Sequence, residues 1–244
     1  MIIHLISCPR TISTALMYSF AQRKDMQVID EPFYAVYLKK TGFNHPGTSA
    51  ILDSQPDQEI DVIKQIETHA AQKHVFVKNM ASHFLVLDPS YSKSYQTVFL
   101  IRDPLRIITS YSKVILKPTA QDIGVSRQAE LYRWYREHGL RAPIVLDSND
   151  VLSSPEQHLK SLCLALDLPF APEMLSWAAG PKPYDGVWAP YWYGNVHQST
   201  GFEKQASSHD ELPTQFEELF QTCKRDYDFL YKYSITNKDH ATGI

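Results

Sequence analysis

Three short segments, "HVFVK" at 74–78, "TVFLI" at 97–101 and "PIVLD" at 143–147, are apolar in continuous runs rather than at alternate positions. Successive side chains of a strand point to opposite faces, so a run without alternation is covered on both faces. That is the habit of a parallel sheet with helical crossovers. "IIHLIS" at 2–7 opens the chain as a first strand, and a short extended piece follows near 27–30. Helical patterns occupy 11–23, 57–72, 104–116, 124–138, 155–166 and roughly 211–232, with an aromatic-rich irregular stretch at 180–205. The charges of 57–73 read as a solvated helix face. With no internal repeat, the 244 residues spell one α/β domain over 1–244. The expected architecture is a three-layer sandwich with a mostly parallel central sheet.

A formal net charge of −3 gives no reason to expect a nucleic-acid binder, so any anion site must arise from local placement of Arg and Lys. Three cysteines and ten histidines show no metal-ligand spacing, and no metal is expected. No apolar run approaches the roughly 20 residues of a membrane helix. "MIIHLIS" is too short and uncharged for a secretory signal, and a cytoplasmic protein is the default expectation.

The first strand runs into "SCPRTISTAL", residues 7–16. In open α/β sheets ligands bind beyond the carboxyl ends of the strands, and this segment occupies that place. Thr11, Ser13 and Thr14 set three hydroxyls around a helix start, and Arg10 adds a charged fork suited to phosphate oxygens. An ordinary strand–turn–helix connection with hydroxyl caps is the plain alternative. A triphosphatase loop, G-x-x-x-x-G-K-[ST], would need two glycines and a lysine that are missing. Asp88 and Asp147 nonetheless close apolar runs as magnesium-binding strand ends do, which keeps a magnesium-dependent kinase or triphosphatase open. Cys8 has an arginine only two residues on, where the cysteine phosphatases place theirs six on, and it reads as a buried small hydrophobe. A second stretch, "TVFLIRDPLRIITSYSKV" at 97–114, reads as buried strand, polar turn and amphipathic helix. Asp103 is placed to cap and Pro104 to start the helix; Arg102 ends the strand, and Ser110 lies about two turns in.

Together the two stretches resemble the sulfotransferase family, which uses 3′-phosphoadenosine 5′-phosphosulfate (PAPS) as sulfuryl donor. The resemblance implies that Arg10, Thr11, Ile12, Ser13 and Thr14 receive the 5′-phosphosulfate, and that Arg102 and Ser110 hold the 3′-phosphate. Residues 148–170 resemble the acidic turn and helix that follow in that family. Lys78 resembles its strand-end lysine, expected to stabilise the transferring sulfonate. Two residues qualify as the base: Glu31, resembling the glutamate of the tyrosylprotein and bacterial carbohydrate branches, and His83, near the histidine of the cytosolic branch but five residues after Lys78 instead of two. The basic Gly-rich adenine loop of that branch is absent, and "WYGNVHQSTGFEKQ" at 192–205 is the nearest substitute, with Gly201, Phe202 and Lys204 covering the nucleotide. "YDGVWAPYWY" at 184–193 and "FYAVYL" at 33–38 would wall an apolar pocket for a small-molecule acceptor, or serve as a packing plug. The implied activity is metal-independent sulfuryl transfer to a hydroxyl or amine; the other readings are the kinase and a non-catalytic nucleotide-binding protein with a degenerate sulfotransferase fold.

Overall fold

A computed structural model describes residues 1–203 and 212–235. Strands β1 (Ile2–Ser7), β2 (Met26–Asp30), β3 (His74–Met80), β4 (Gln96–Ile101) and β5 (Ile144–Asp147) form one sheet in the order β2-β3-β1-β4-β5. Every pairing is parallel. The unbroken apolar runs follow from two cores, one on each face. Ile6, Val75, Val77, Phe99, Ile101 and Val145 point into the first. Their neighbours Leu5, Phe76, Val98, Leu100, Ile144 and Leu146 point into the second.

The helices in chain order are α1 (Ser13–Ala21), α2 (Tyr34–Thr41), α3 (Thr48–Ser54), α4 (Glu59–Ala70), α5 (Pro104–Tyr111) and α6 (Ala120–Ile123). They continue as α7 (Val125–His138), α8 (Ser148–Ser153), α9 (Pro155–Ala165), α10 (Ala189–Trp192), α11 (Gly194–Gln198) and α12 (Glu217–Tyr231). The first core is covered by α4, α7 and α12, through residues such as Val62, Ala129 and Leu230. The second is covered by α1 and α9, through Leu16, Met17, Leu159 and Leu162. This is the expected sandwich, with its central sheet parallel throughout.

Several boundaries differ from the sequence reading for identifiable reasons. The first helix starts at Ser13 rather than 11, because Arg10 and Ile12 take left-handed backbone angles that no helix continues. The helix expected over 104–116 stops at Tyr111; beyond it Val114 and Leu116, 53% and 81% exposed, find no surface to pack on. The irregular aromatic stretch contains the short helices α10 and α11, and the last helix begins at Glu217. Helices α2, α3, α6 and α8 were not foreseen.

Asp103 caps α5 as read, accepting from Leu105 N–H at 2.9 Å, with Pro104 at the first helical position. Asp147 caps α8 in the same way, accepting from the N–H groups of Asn149 at 2.8 Å and Asp150 at 3.2 Å. The Tyr227 hydroxyl of α12 donates to its other oxygen at 3.1 Å. Burial, and then the Asp150 charge, push the Asp147 carboxyl up to about 6. An unfolded aspartate titrates near 4, so the folded protein holds this proton more tightly. The resulting stability is fully present below about pH 4 and is lost as pH rises through about 6, a change of order 2–3 kcal/mol. Asp147→Asn keeps an oxygen for the cap. Its melting temperature should therefore gain on the wild type between pH 4.5 and 7.5, and parallel pH profiles would reject this role for Asp147.

Candidate active site

The segment from Cys8 to Ile12 carries the chain from β1 into α1 without a glycine. Arg10 and Ile12 consequently sit at φ 63° and 59°. For a β-branched residue such as Ile12 this region is disfavoured, at about 1–3 kcal/mol. Side chains from three other elements hold the loop there. Ser148, opening α8, sets its hydroxyl 2.8 Å from the Thr11 carbonyl and 2.7 Å from that of Ile101. Arg102 donates to the Arg10 carbonyl. Gln128, buried on α7, donates to the carbonyls of Ile6 and Leu100 at 2.9 and 3.0 Å and accepts from the Cys8 thiol at 3.1 Å. Within the loop, the Thr11 hydroxyl donates to the Cys8 carbonyl at 2.8 Å. Thr11 thus shapes the turn, and Cys8 is the buried small residue expected. The helical ladder begins with Leu16 N–H on the Ile12 carbonyl at 3.0 Å. The amides ahead of it have no intrahelical acceptor and curve around the mouth of α1, a ready anion cradle.

A second basic corner adjoins the cradle. Arg10 reaches from the loop to α5, where its Nε donates to Ser110 Oγ at 2.9 Å. Arg102 is buried beside them. The interval read from the sequence therefore closes in space on one corner with Arg10 as its third member. Ser13, Thr14, Gly201 and Phe202 line the same cavity. Phe202 stands edge-on to Trp177 at 5.2 Å between ring centroids. Lys204 lies outside the described residues.

Across the cavity, the ends of β2 and β3 bring charged groups together. Lys78 is buried, and its Nζ lies 2.9 Å from Asp30 Oδ1, 2.5 Å from Glu31 Oε1 and 2.9 Å from the Tyr193 hydroxyl. Its three N–H donors are thereby used, which leaves none for a sulfonate. Burial alone would lower the Lys78 pKa, but the carboxylates of Asp30 and Glu31 raise it well above the usual lysine range. Glu31 takes φ 40°, fixed by its N–H on the Lys78 carbonyl at 2.8 Å and by Gln55 donating to its own carbonyl at 3.0 Å. The 3-10 turn Ala81–Leu85 then swings His83 alongside, with Nε2 3.5 Å from Glu31 Oε2. Burial, and then the Lys78 charge, lower the His83 pKa to about 3, so the ring is neutral. Both base candidates share one corner.

The corners face each other across a cavity of about 500 Å³, the size of a small-molecule site. In the aromatic stretch Trp188 and Trp192 both line the cavity, and Trp188, largely buried, donates to the Tyr193 hydroxyl at 3.1 Å. Asp88 and Asp147, the strand-end candidates for magnesium, serve as helix caps. Sequence reasoning missed Asp30, Gln128, Ser148 and Tyr193. Only Asp30 left a signal, since paired carboxylates after a strand require a nearby cation and Asp30 stands in register with Lys78.

Residues 1–227 match the model of the sulfotransferase domain, and the chain belongs to that family. It is 38% identical over 231 residues to the branched-chain-amino-acid aminotransferase-like protein 1 of Arabidopsis thaliana, covering 94% of this chain and 41% of that protein. The chain thus spans less than half the length of this relative. Among solved structures it resembles the sulfotransferase domain of the Synechococcus PCC 7002 olefin synthase, with a TM-score of 0.62 at 16% identity over 96% of this chain and 95% of that one. A mouse sulfotransferase complexed with PAP aligns with a TM-score of 0.50 at 10% identity, over 96% and 89% of the two chains. At these identities the likeness is one of fold.

Removing the cation from between two buried carboxylates is expensive. Lys78→Met should destabilise the protein by about 3–5 kcal/mol in urea titration, and adding Asp30→Asn should recover part of that loss. A cost under about 1 kcal/mol would contradict the buried network.

Proposed function

We propose that the chain transfers a sulfuryl group from PAPS to a hydroxyl or amine of a small acceptor. The observation that carries this reading is the division of one cavity into a cradle with a basic corner and a facing carboxylate–histidine corner. The residues present fit a nucleotide with phosphates at two positions. The amides at the mouth of α1, with Ser13 and Thr14, suit the 5′-phosphosulfate, and Arg102 with Ser110 suits a 3′-phosphate. Gly201 and Phe202 border the space left for the base. Arg10 is tethered to Ser110 yet belongs to the loop, so its guanidinium reaches either anion.

When bound, the donor supplies the sulfuryl group, which forms a bond to the acceptor oxygen or nitrogen as the S–O bond to the 5′-phosphate breaks, releasing 3′,5′-diphosphoadenosine. The chain's own part is charge and proton placement. Glu31 takes the acceptor proton on Oε2, the oxygen that Lys78 does not hold, and Lys78 fixes that carboxylate in position. Neutral His83 sits against the same oxygen and keeps its ring in one orientation. Arg10 and the helix N-terminus stabilise charge gathering on the leaving phosphate.

In thermal-shift titrations, 3′,5′-diphosphoadenosine should stabilise the protein without magnesium and more than ADP does. Arg102→Ala should weaken that ligand about 10- to 100-fold, and Ser110→Ala by less while leaving ADP unaffected. A response confined to ATP with magnesium would return the kinase reading. Glu31→Gln should bind diphosphoadenosine normally yet lose turnover by about 100-fold or more, so a fully active variant would pass the base role to His83.

A further inference from the structure

The acceptor end of the cavity carries its own chemistry. Lys78 is its one lysine among the described residues, and that charge is already locked between Asp30 and Glu31. With both carboxylates ionised, these three groups sum to one negative charge. Burial lowers the pKa of His45 as well as that of His83, so neither ring adds a cation at neutral pH. Asp122 also lines the cavity. Its Oδ2 accepts from the Thr119 amide at 2.8 Å and hydroxyl at 2.7 Å, while Oδ1 has no hydrogen-bond partner among the described residues.

Around these acids stand aromatic rings. Tyr34, Tyr37, Tyr111 and Trp192 line the wall. Tyr34 lies 6.4 Å from Tyr37 and 5.2 Å from Trp188 between centroids. His83 lines the same wall, and its Nδ1 is one of the buried side-chain atoms without a hydrogen-bond partner among the described residues. Its Nε2 lies 3.5 Å from Glu31 Oε2, so the ring stands against the carboxylate at this end of the cavity. Ring faces and an open carboxylate oxygen attract a positive charge. The nearest arginine, Arg10, is engaged by Ser110 on the donor side, and the side-chain charges at this end are the carboxylates of Asp30, Glu31 and Asp122 and the one ammonium of Lys78.

We propose that the acceptor is a small hydroxylated organic cation, an ammonium alcohol, with its charge among Tyr37, Tyr111 and Asp122 and its hydroxyl toward Glu31. This rests on the donor reading above. The test uses protein saturated with 3′,5′-diphosphoadenosine, titrated in a calorimeter with choline and with 3,3-dimethylbutan-1-ol. The two probes share shape and hydroxyl and differ in charge. Choline should bind about five-fold or more tightly than the neutral alcohol. Asp122→Asn, which keeps an oxygen for Thr119, should reduce that ratio to within about two-fold without weakening the neutral probe. Equal or tighter binding of the neutral alcohol overturns the proposal, as does a preference that survives Asp122→Asn. Binding of neither probe up to about 50 mM also overturns it, because diphosphoadenosine binding in the same sample shows the site intact. Failure of diphosphoadenosine itself to bind removes the donor reading instead.

Discussion

The loop after β1 must hold two left-handed residues without a glycine, and much of the structure is arranged to make it do so. With glycine at both positions the turn would be a local property of the chain. With Arg10 and Ile12 it is uphill, and it persists because Arg102 after β4 and Ser148 of α8 bond its carbonyls while Gln128 of α7 holds the Cys8 thiol and the strand ends beside it. The loop therefore has its shape only when the sheet and both cores are assembled. The same strain redirects a side chain. An arginine in left-handed conformation leaves the path of the strand and crosses to α5, where Ser110 receives it. An unfavourable backbone angle thus delivers a cation to a place a glycine-containing loop would leave empty.

The opposite corner rests on a different constraint, a buried lysine. The register that pairs β2 with β3 sets Asp30 beside Lys78, and the left-handed turn at Glu31 brings the second carboxylate to the same ammonium. Tyr193 completes the set by donating to Asp30 at 2.7 Å while accepting from Lys78. That tyrosine closes α10, more than a hundred residues away in sequence, so the aromatic wall is fastened to the carboxylate corner through one hydroxyl. Charge pairs this deep contribute little net stability, since desolvation offsets most of their attraction. What they supply is position: the carboxylate and the wall facing it cannot move independently.

How much of this was legible follows from the range of each interaction. The parallel sheet was readable because burial on both faces imprints every residue of a strand. The Arg102–Ser110 corner was readable because strand end, cap and helix are contiguous, and Asp103 and Pro104 mark the join. The same local reasoning overran at 112–116, where apolar residues continue a helical pattern but meet no core. Gln128 and Ser148 look like surface polar residues in the sequence; both are buried because they satisfy carbonyls at the end of strands that only the fold brings together. His83 stands five residues after Lys78 along the chain, and a 3-10 turn nevertheless brings it beside Glu31. Counting residues measures contour length, whereas a site is assembled by direction.

Strand order then determines which chemistry falls on which side. β1 lies at the middle of the sheet, and the chain leaves it toward β2 and β3 on one flank and β4 and β5 on the other. The carboxylates, Lys78 and His83 come from β2, β3 and the turn after β3. Arg102, Ser110 and Ser148 come from the turn after β4, α5 and the start of α8. The cradle sits between them, above the strand where the connections change direction, which is where open α/β sheets place their ligands. A cavity straddling that point draws its basic corner from one flank and its paired carboxylates, Asp30 and Glu31, from the other. On the proposed reading, the reacting centre lies over β1 because that is where the two flanks meet.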